Sequence, residues 1–355
     1  MRFGWSASSV PVAPLLLAGM AVGPHGINLL PPTSLTWLDP VVPVALAALG
    51  VRAGLGIGHA RPGDGRLLAA ASLAAALTAL AVAAGMAALA RAGVVDALQP
   101  AWLVPLATGL AAATALTAPA GEPFEPRTPG VRVTELALLG PALAGALLMA
   151  WLRTGSAGAA ALLLVQSTLV TIALTAAGWL LLSRATTDTD RRVFGIAVLL
   201  LAGGAAAALS QSAIFGGLVA GLCWRWAGGP PRESLSRDVH LVQHPLLVLV
   251  LLAAGARTVL SPATLVLGAA YLALRTVGVL AGARLLRPLA GAKPPGELRA
   301  ALLQPGVFGV AFALNLAGVA GDPAGPGPLL LGAVVLGSAA GAIVAPSGRP
   351  IRRPA

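Results

Sequence analysis

Long apolar segments separated by short polar segments recur along the whole chain. A membrane-spanning helix needs about 20 predominantly apolar residues, within a range of about 17–25. The pattern predicts about twelve such spans, with approximate limits 10–30, 38–58, 67–90, 100–118, 133–152, 157–182, 193–209, 211–227, 244–260, 262–286, 299–320 and 327–346. The polar segments are too short to form a soluble domain. The predicted fold class is therefore an all-α polytopic membrane protein with about twelve transmembrane helices.

The basic residues test this span count independently. Alternating spans place eighteen of them on the side of the N-terminus: Arg2, Arg61, Arg66, Arg127, Arg132, Arg184, Arg191, Arg192, Arg225, Arg232, Arg237, Arg284, Arg287, Lys293, Arg299, Arg349, Arg352 and Arg353. Only Arg91, Arg153 and Arg257 fall on the opposite side, and Arg52 and Arg275 lie inside spans. Lys and Arg are enriched in cytoplasmic loops. The asymmetry therefore predicts a multi-pass protein of the inner (plasma) membrane with both termini in the cytoplasm.

The composition agrees with this class and argues against others. Of 355 residues, 57% are hydrophobic and 10% charged, whereas about 25% are charged in ordinary globular domains. The net charge of +11 does not indicate a nucleic-acid partner, because the basic residues do not cluster in a soluble domain. Cys223 is the only cysteine, so no intrachain disulfide can form. His240 and His244 have a spacing that can bind metal, but no third ligand accompanies them, which favours an ordinary interfacial pair.

The sequence contains no Ser/His/Asp, Cys/His or metal-ligand cluster. We therefore predict that the protein is not an enzyme and that it has neither a cofactor nor a metal site. Glycines four residues apart predict faces on which helices pack closely in lipid. These pairs are Gly54/Gly58, Gly217/Gly221, Gly278/Gly282 and Gly337/Gly341.

One buried charge stands out from the apolar pattern. Arg275 lies at the middle of the apolar stretch Pro262 to Leu286. Placing a guanidinium at the centre of a bilayer costs roughly 2.5–3.5 kcal/mol on insertion scales, so intramembrane arginines usually serve a function. None of the long apolar segments carries an Asp or Glu at a similar depth. The partner of Arg275 is therefore the main question that the sequence raises.

Two spans are interrupted by proline. The fourth ends in the run Thr114 to Pro119, which contains Thr117, and the eleventh contains Gln304-Pro305-Gly306. Proline removes a helical hydrogen bond, and backbone groups freed in this way are tolerated in a membrane only when buried in protein or facing a wet cavity. Interrupted segments at corresponding positions of two halves indicate a transporter site. The alternative is that one or both prolines merely kink a helix.

The order of several motifs resembles the cation:proton antiporter superfamily, which has the sodium/proton exchanger fold. The segment 10–30 is similar to the early helix of that family, which ends in a GP-x-G turn. The segment 212–221, SAIFGGLVAG, is similar to its S-A-x-x-G-A-F-x-A-G helix. The run from His244 through Arg257 to Arg275 follows the family order, and Arg275 matches an intramembrane Lys or Arg of the family.

The resemblance implies two inverted five-helix repeats and monovalent cation:proton antiport by alternating access. Repeat one would cover about 10–152, linking helices about 157–209 and repeat two about 211–346, followed by a short basic cytoplasmic tail at 347–355. The crossed broken helices would belong to a mobile core beside a scaffold that forms a homodimer in the lipid bilayer. Members of the family usually begin outside with thirteen spans, so this chain is expected to lack the first.

The chain departs from the family where the chemistry should be. The fifth span of the family carries an Asp-Asp or Asn-Asp pair that binds the cation and exchanges protons, and here Gly140 and Pro141 occupy that place. Glu135 is about 7.5 Å shallower along the helix and does not substitute easily. Pro141 would leave the carbonyl of Ala137 unpaired. The eleventh span also has Gln304-Pro305-Gly306 where many relatives carry a charged run.

Three explanations for Arg275 remain open. In the first, Glu122 or Glu125, just after the break at Thr117 to Pro119, is the missing carboxylate on a second half-helix. Alternatively, Arg275 faces a wet cavity and the protein moves something other than a simple cation, or transport is linked to an anion. In the third, Arg275 is a structural relic bonded to the broken-helix backbone. The expected function is monovalent cation:proton antiport, and the alternative is a degenerate, non-transporting scaffold or sensor of the same fold.

Overall fold

The computed structural model describes residues 12–57, 64–93, 103–114, 136–209, 211–290, 306–320 and 326–344. These residues are all-helical apart from their turns and connections. In chain order, the helices are α1 (Val12–Val22), α2 (Pro32–Thr36), α3 (Val41–Gly56), α4 (Asp64–Arg91), α5 (Leu103–Ala113), α6 (Leu139–Thr154), α7 (Ala157–Arg184), α8 (Asp188–Ala208), α9 (Ala213–Ala227), α10 (Gly229–Ala256), α11 (Pro262–Ala290), α12 (Val307–Ala320) and α13 (Pro326–Val344).

The predicted fold class is confirmed. Apart from the five-residue α2, each helix of the described residues corresponds to one of the twelve predicted spans. Six of them are long and apolar enough to cross a membrane, and six shorter ones of 10–17 residues are equally apolar. The apolar pattern therefore predicted the number and order of the helices. The limits of the two repeats and of the linking helices stay a prediction.

Two helices begin five or more residues earlier than the apolar pattern predicted. The ninth predicted span begins at 244, but α10 begins at Gly229 because two prolines occupy its first turn, where the missing N–H has no helical partner. The seventh begins at 193, but α8 begins at Asp188, where Thr187 and Asp190 form a reciprocal capping box. The helices thus continue through polar segments, which hydropathy alone assigns to connectors.

The two halves of the fold are joined by close backbone contacts between α3 and α9 and between α1 and α10. A Cβ atom added to Gly54 of α3 would lie 2.9 Å from the Cα of Gly221 on α9. A Cβ atom added to Gly255 of α10 would lie 3.0 Å from the Cα of Gly19 on α1. Both contacts therefore require glycine on each helix.

These contacts have the symmetry of inverted repeats. If the first five spans correspond to the last five, α1 corresponds to α9 and α3 to α10. The contact of α3 with α9 then becomes the contact of α10 with α1, so the same glycine-lined crossing occurs twice with the helices exchanged. A two-fold relation between an N-terminal and a C-terminal half, as in transporters built from inverted repeats, produces this pattern.

Contacts at the helix ends agree with the predicted alternation of sides. Three of them join segments that the span model places on one side: Arg153 with the carbonyl of Leu209, Arg257 with Asp39 at 2.5 Å, and Arg192 with Asp238 at 3.7 Å. The first two lie on the side with few basic residues, and the third lies on the opposite side. The helix order in the structure is therefore consistent with the sides of the membrane predicted for these basic residues.

The glycine crossing of α3 and α9 gives a stability prediction. Gly217→Ala would place a methyl group against the backbone of Ala47, so we expect a loss of about 1–3 kcal/mol, as for other overpacked positions. Gly204→Ala is the control, because a Cβ atom there meets nothing within 4 Å. Thermal unfolding in detergent should show a lower midpoint for Gly217→Ala alone. Equal midpoints for the two variants would contradict the close crossing.

Candidate functional site

Arg275 is buried in the middle of α11, with 4% of its surface exposed. Tyr271, one turn earlier on the same helix, is also buried, and its hydroxyl lies close to Ser338 on α13. The Tyr271 ring packs on Gly337, where an added Cβ would lie 2.5 Å from the ring carbon Cδ1. The predicted packing face at Gly337 is therefore the contact of α13 with α11, and it holds the aromatic neighbour of Arg275 in place.

The described parts of the two proline-interrupted spans meet each other. Helix α5 ends at Ala113, and the Thr114 hydroxyl donates to the Ala111 carbonyl at 2.7 Å. A Cβ atom on Gly309, in the first turn of α12, would lie 2.6 Å from that carbonyl oxygen and 3.1 Å from Thr114 Oγ1. The C-terminal end of α5 thus faces the N-terminal turn of α12. Helix ends carry partial charges of opposite sign, so the two ends attract.

A small apolar cluster connects this junction with α6 and α11. Ala113 at the end of α5, Ala137 just before α6 and Val279 of α11 belong to one buried cluster, together with two alanines of α4. Val279 lies one turn after Arg275. The structure therefore brings the end of the fourth span, the beginning of the fifth and the region of Arg275 into one place. The wall that these side chains form is apolar.

Gly140 and Pro141 lie at the beginning of α6, which starts at Leu139. Pro141 is buried in the first turn of α6. Gly140 is exposed, and a Cβ atom there would meet nothing within 4 Å. Residues 136 and 137 are helical as well, so Pro141 follows a one-residue interruption at Leu138. The remaining predicted site residues, Thr117, Pro119, Glu122, Gln304 and Pro305, lie outside the described residues, as does Glu125.

The structure adds Asn315, which was not predicted from the sequence. Asn315 is buried on α12, and its amide contacts Ser212 Oγ at 3.4 Å and Met149 Sδ at 3.5 Å. Ser212 also caps α9 by accepting from the backbone N–H of Phe215. Asn315 therefore ties α12 to α9 and α6. A signal was present, because Asn315 is the only polar side chain in the apolar run of α12.

Arg52 is a second buried arginine, placed on α3 far along the chain from Arg275. Its Nε donates to Gln243 Oε1 on α10 at 3.1 Å, and both side chains are only 2% exposed. The acceptor of this hydrogen bond is a neutral amide. The pair connects helices of the two halves next to the glycine crossings.

The described residues define what chemistry the interior can perform. Their buried polar side chains are hydroxyls, amides and the two arginines, and no carboxylate is among them. Hydroxyl and carbonyl oxygens can bind a monovalent cation, but they cannot release a proton near neutral pH. The same residues contain no group of three His, Cys, Asp or Glu side chains that could hold a metal ion. A titratable carboxylate near Arg275 would have to come from residues such as Glu122 or Glu125.

The fold is shared with a solved transporter. The chain superimposes on the sodium proton antiporter MjNhaP1 from Methanocaldococcus jannaschii with a TM-score of 0.55 and 15% identity, over 94% of this chain and 89% of that one. At this identity the likeness concerns the fold, and it confirms the fold expected from the sequence resemblance. No protein-family model matches the chain, and no curated protein sequence matches it.

The junction of α5 and α12 can be tested by cross-linking. On a Cys223→Ser background, we expect the pair Thr114→Cys and Gly309→Cys to form a disulfide on mild oxidation, because the two positions are in contact once the Ala111 carbonyl shifts slightly to admit the new Cβ atom. The control pair is Thr114→Cys with Gly318→Cys, since position 318 lies nine residues, or about 13.5 Å, further along α12. Mobility shift on a gel measures the product. Equal oxidation of both pairs would show that the junction is wrong.

Proposed function

We propose that this protein is a membrane transporter that exchanges a monovalent cation for protons by alternating access. The observation that carries the proposal is the junction of α5 and α12, two interrupted spans that meet beside the helix of a buried arginine. Opposed helix ends supply backbone carbonyls and N–H groups that a transported ion can use within the membrane. The shared fold with a sodium proton antiporter supports the same conclusion.

Arg275 has an electrostatic role in this proposal. A fixed buried guanidinium repels a second cation, so a cation can bind beside it only if an anionic group is present as well. Glu122 is the best candidate for that group, because it follows the interruption at Thr117 to Pro119 closely in the chain. Arg275 would pair with the carboxylate while the cation is absent. Arrival of a cation or a proton would then weaken that pair.

A second candidate function is a non-transporting scaffold or sensor that keeps the fold. It is favoured by one observation: the buried polar side chains of the described residues include no carboxylate, and Gly140 and Pro141 occupy the place where the resemblance implies an acidic pair. In this reading Arg275 only stabilises the packing of α11 on its neighbours. The two functions differ in whether ion movement can be measured.

Reconstituted protein separates these functions. In proteoliposomes carrying a pH-sensitive dye, we expect a Na⁺, K⁺ or Li⁺ gradient to drive proton movement by the wild type. Arg275→Ala and Glu122→Gln should each reduce the rate by at least about tenfold, the factor that corresponds to 1.4 kcal/mol. Arg91→Ala, which removes an exposed charge at the end of α4, is the matched control and should leave the rate unchanged.

Each outcome of this experiment is informative. Wild-type liposomes without proton movement for any of the three ions would overturn the exchanger and favour the scaffold or sensor. A rate that survives Glu122→Gln would remove Glu122 as the carboxylate. Movement that depends on chloride, with any of the three cations or without them, would show that the transported species is an anion.

We further propose that the chain lies in the plasma membrane with both termini in the cytoplasm, as the eighteen-to-three distribution of basic residues supports. On a Cys223→Ser background, Arg91→Cys should react with a membrane-impermeant maleimide in spheroplasts. Arg184→Cys, at the exposed end of α7 on the opposite side, should react only after the membrane is opened. The reverse labelling pattern would invert the topology. A homodimer stays a prediction of the resemblance.

A further inference from the structure

The described helices pack in two groups. Helices α1, α3, α8, α9 and α10 form one group through direct contacts, and we call them the scaffold helices. Helices α4, α5, α11, α12 and α13 form the other group. Helix α6 packs on α4, α5 and α12, and the ring of Phe312 on α12 lies directly against Gly145 of α6, so we call these six the core helices. The groups touch where α1 meets α13, where α12 meets α9 and α10, and where α6 meets α9.

Two side-chain hydrogen bonds join the two groups at the connection between α8 and α9. Arg153, in the last turn of α6, donates through Nη1 to the carbonyl of Leu209, the residue that ends α8. Asn315 of α12 donates its amide hydrogen to Oγ of Ser212, the residue that caps α9, at 3.4 Å. Both donors lie on core helices, and both acceptors belong to the scaffold helices. The same short connection therefore receives a hydrogen bond from each of two core helices.

Both hydrogen bonds lie towards the side of the fold that we propose to face outward. Arg153 is one of the three basic residues that the span model places on that side. The connection between α8 and α9 lies there as well, because α8 begins on the opposite side at Asp188. Asn315 follows Val307, the first residue of α12, by about 12 Å of helix in the same direction.

The contact at Asn315 is closed to water. Asn315 is 9% exposed, and its neighbours Ser212 and Met149 are buried as well. Phe312 and Leu316, next to Asn315 along α12, are also buried. Water from the outer side therefore does not pass between α6, α9 and α12 in this structure, and the boundary between the two groups is sealed at this place.

The polar contacts towards the opposite side connect scaffold helices with one another. Arg52 of α3 donates to Gln243 of α10, and Arg192 of α8 lies 3.7 Å from Asp238 of α10. These contacts are internal to one group, so they can persist when the core helices move against the scaffold helices. The two hydrogen bonds to the connection between α8 and α9 cannot persist through such a movement.

We propose that Asn315 and Arg153 form an outer gate, which holds the core helices against the connection between α8 and α9 while the outer side is closed. Both hydrogen bonds break when the outer side opens, and the Leu209 carbonyl and the Ser212 hydroxyl then bind water. A single neutral hydrogen bond contributes only modestly to stability, so the gate can open and close repeatedly. The role of the gate in ion movement rests on the proposed function, whereas its contacts concern only the packing of the two groups.

Thiol labelling from the outer side tests the gate. Ala311 is fully buried on α12, one turn deeper in the membrane than Asn315. On a Cys223→Ser background in spheroplasts, a membrane-impermeant maleimide should label Ala311→Cys slowly. Adding Asn315→Leu, which keeps the size of the side chain and removes the amide, should raise the labelling rate about fivefold, because one neutral hydrogen bond contributes roughly this factor to an equilibrium constant. Arg153→Met should raise the rate as well.

Two controls separate gate opening from general loosening of the fold. Ser167→Ala removes a buried hydroxyl whose hydrogen bond stays within α7, and it should leave the labelling rate of Ala311→Cys unchanged. Ala254→Cys is a second reporter, buried near the outer end of α10 among the scaffold helices. It should stay slow to react in every variant.

The gate is overturned if Asn315→Leu leaves the labelling rate of Ala311→Cys unchanged, or raises that of Ala254→Cys equally. An unchanged rate with Arg153→Met would remove Arg153 from the gate. Labelling does not require ion transport, so the two proposals fail separately. A wild type that moves no protons overturns the exchanger, and the labelling rates still decide whether the gate exists.

Discussion

The fold depends on backbone contact between helices at two glycine-lined crossings. In lipid, apolar side chains gain little by leaving one apolar surface for another, so helices associate through close packing. At the crossings of α3 with α9 and of α1 with α10, each helix presents bare backbone to the other. These contacts join the N-terminal half to the C-terminal half. The remaining helices pack around these two crossings. They include the helix that carries Arg275 and the two interrupted spans.

The two buried arginines show different ways of keeping a charge inside such a bundle. Arg52 donates a hydrogen bond to a neutral amide on α10. This contact stabilises one arrangement of α3 and α10. Arg275 lies beside Tyr271 on α11, and the junction of α5 and α12 is linked to this region through the cluster of Ala113 and Val279. The hydroxyl of Tyr271 is part of the surroundings of Arg275.

The sequence predicted the helices well and their contacts poorly, for physical reasons. Apolar length reports directly whether a segment can cross a bilayer, so all twelve spans were found. Apolar length does not report where a helix continues beyond the membrane into water. Helix α10 therefore begins fifteen residues before the predicted span. Glycine spacing identified Gly217 and Gly221 as a packing face, but not Gly50 and Gly54 as their partners, because pairing of distant helices is not a local property. Tyr271 and Asn315 were overlooked although each is an isolated polar side chain in an apolar run.

The length of α9 has a consequence for the electrical properties of the membrane around it. Its fifteen residues, between the cap at Ser212 and the end at Gly228, extend only about 22 Å, whereas the hydrocarbon core is about 30 Å thick. Because α9 packs against α3, α7 and α8, the lipid need not match its length, and water can reach the two helix ends inside the membrane region. With hydrated ends, the membrane voltage would fall over a shorter distance here than across the surrounding lipid. An ion that moves between the two ends of α9 would therefore experience a steeper electric field than one in the undisturbed bilayer.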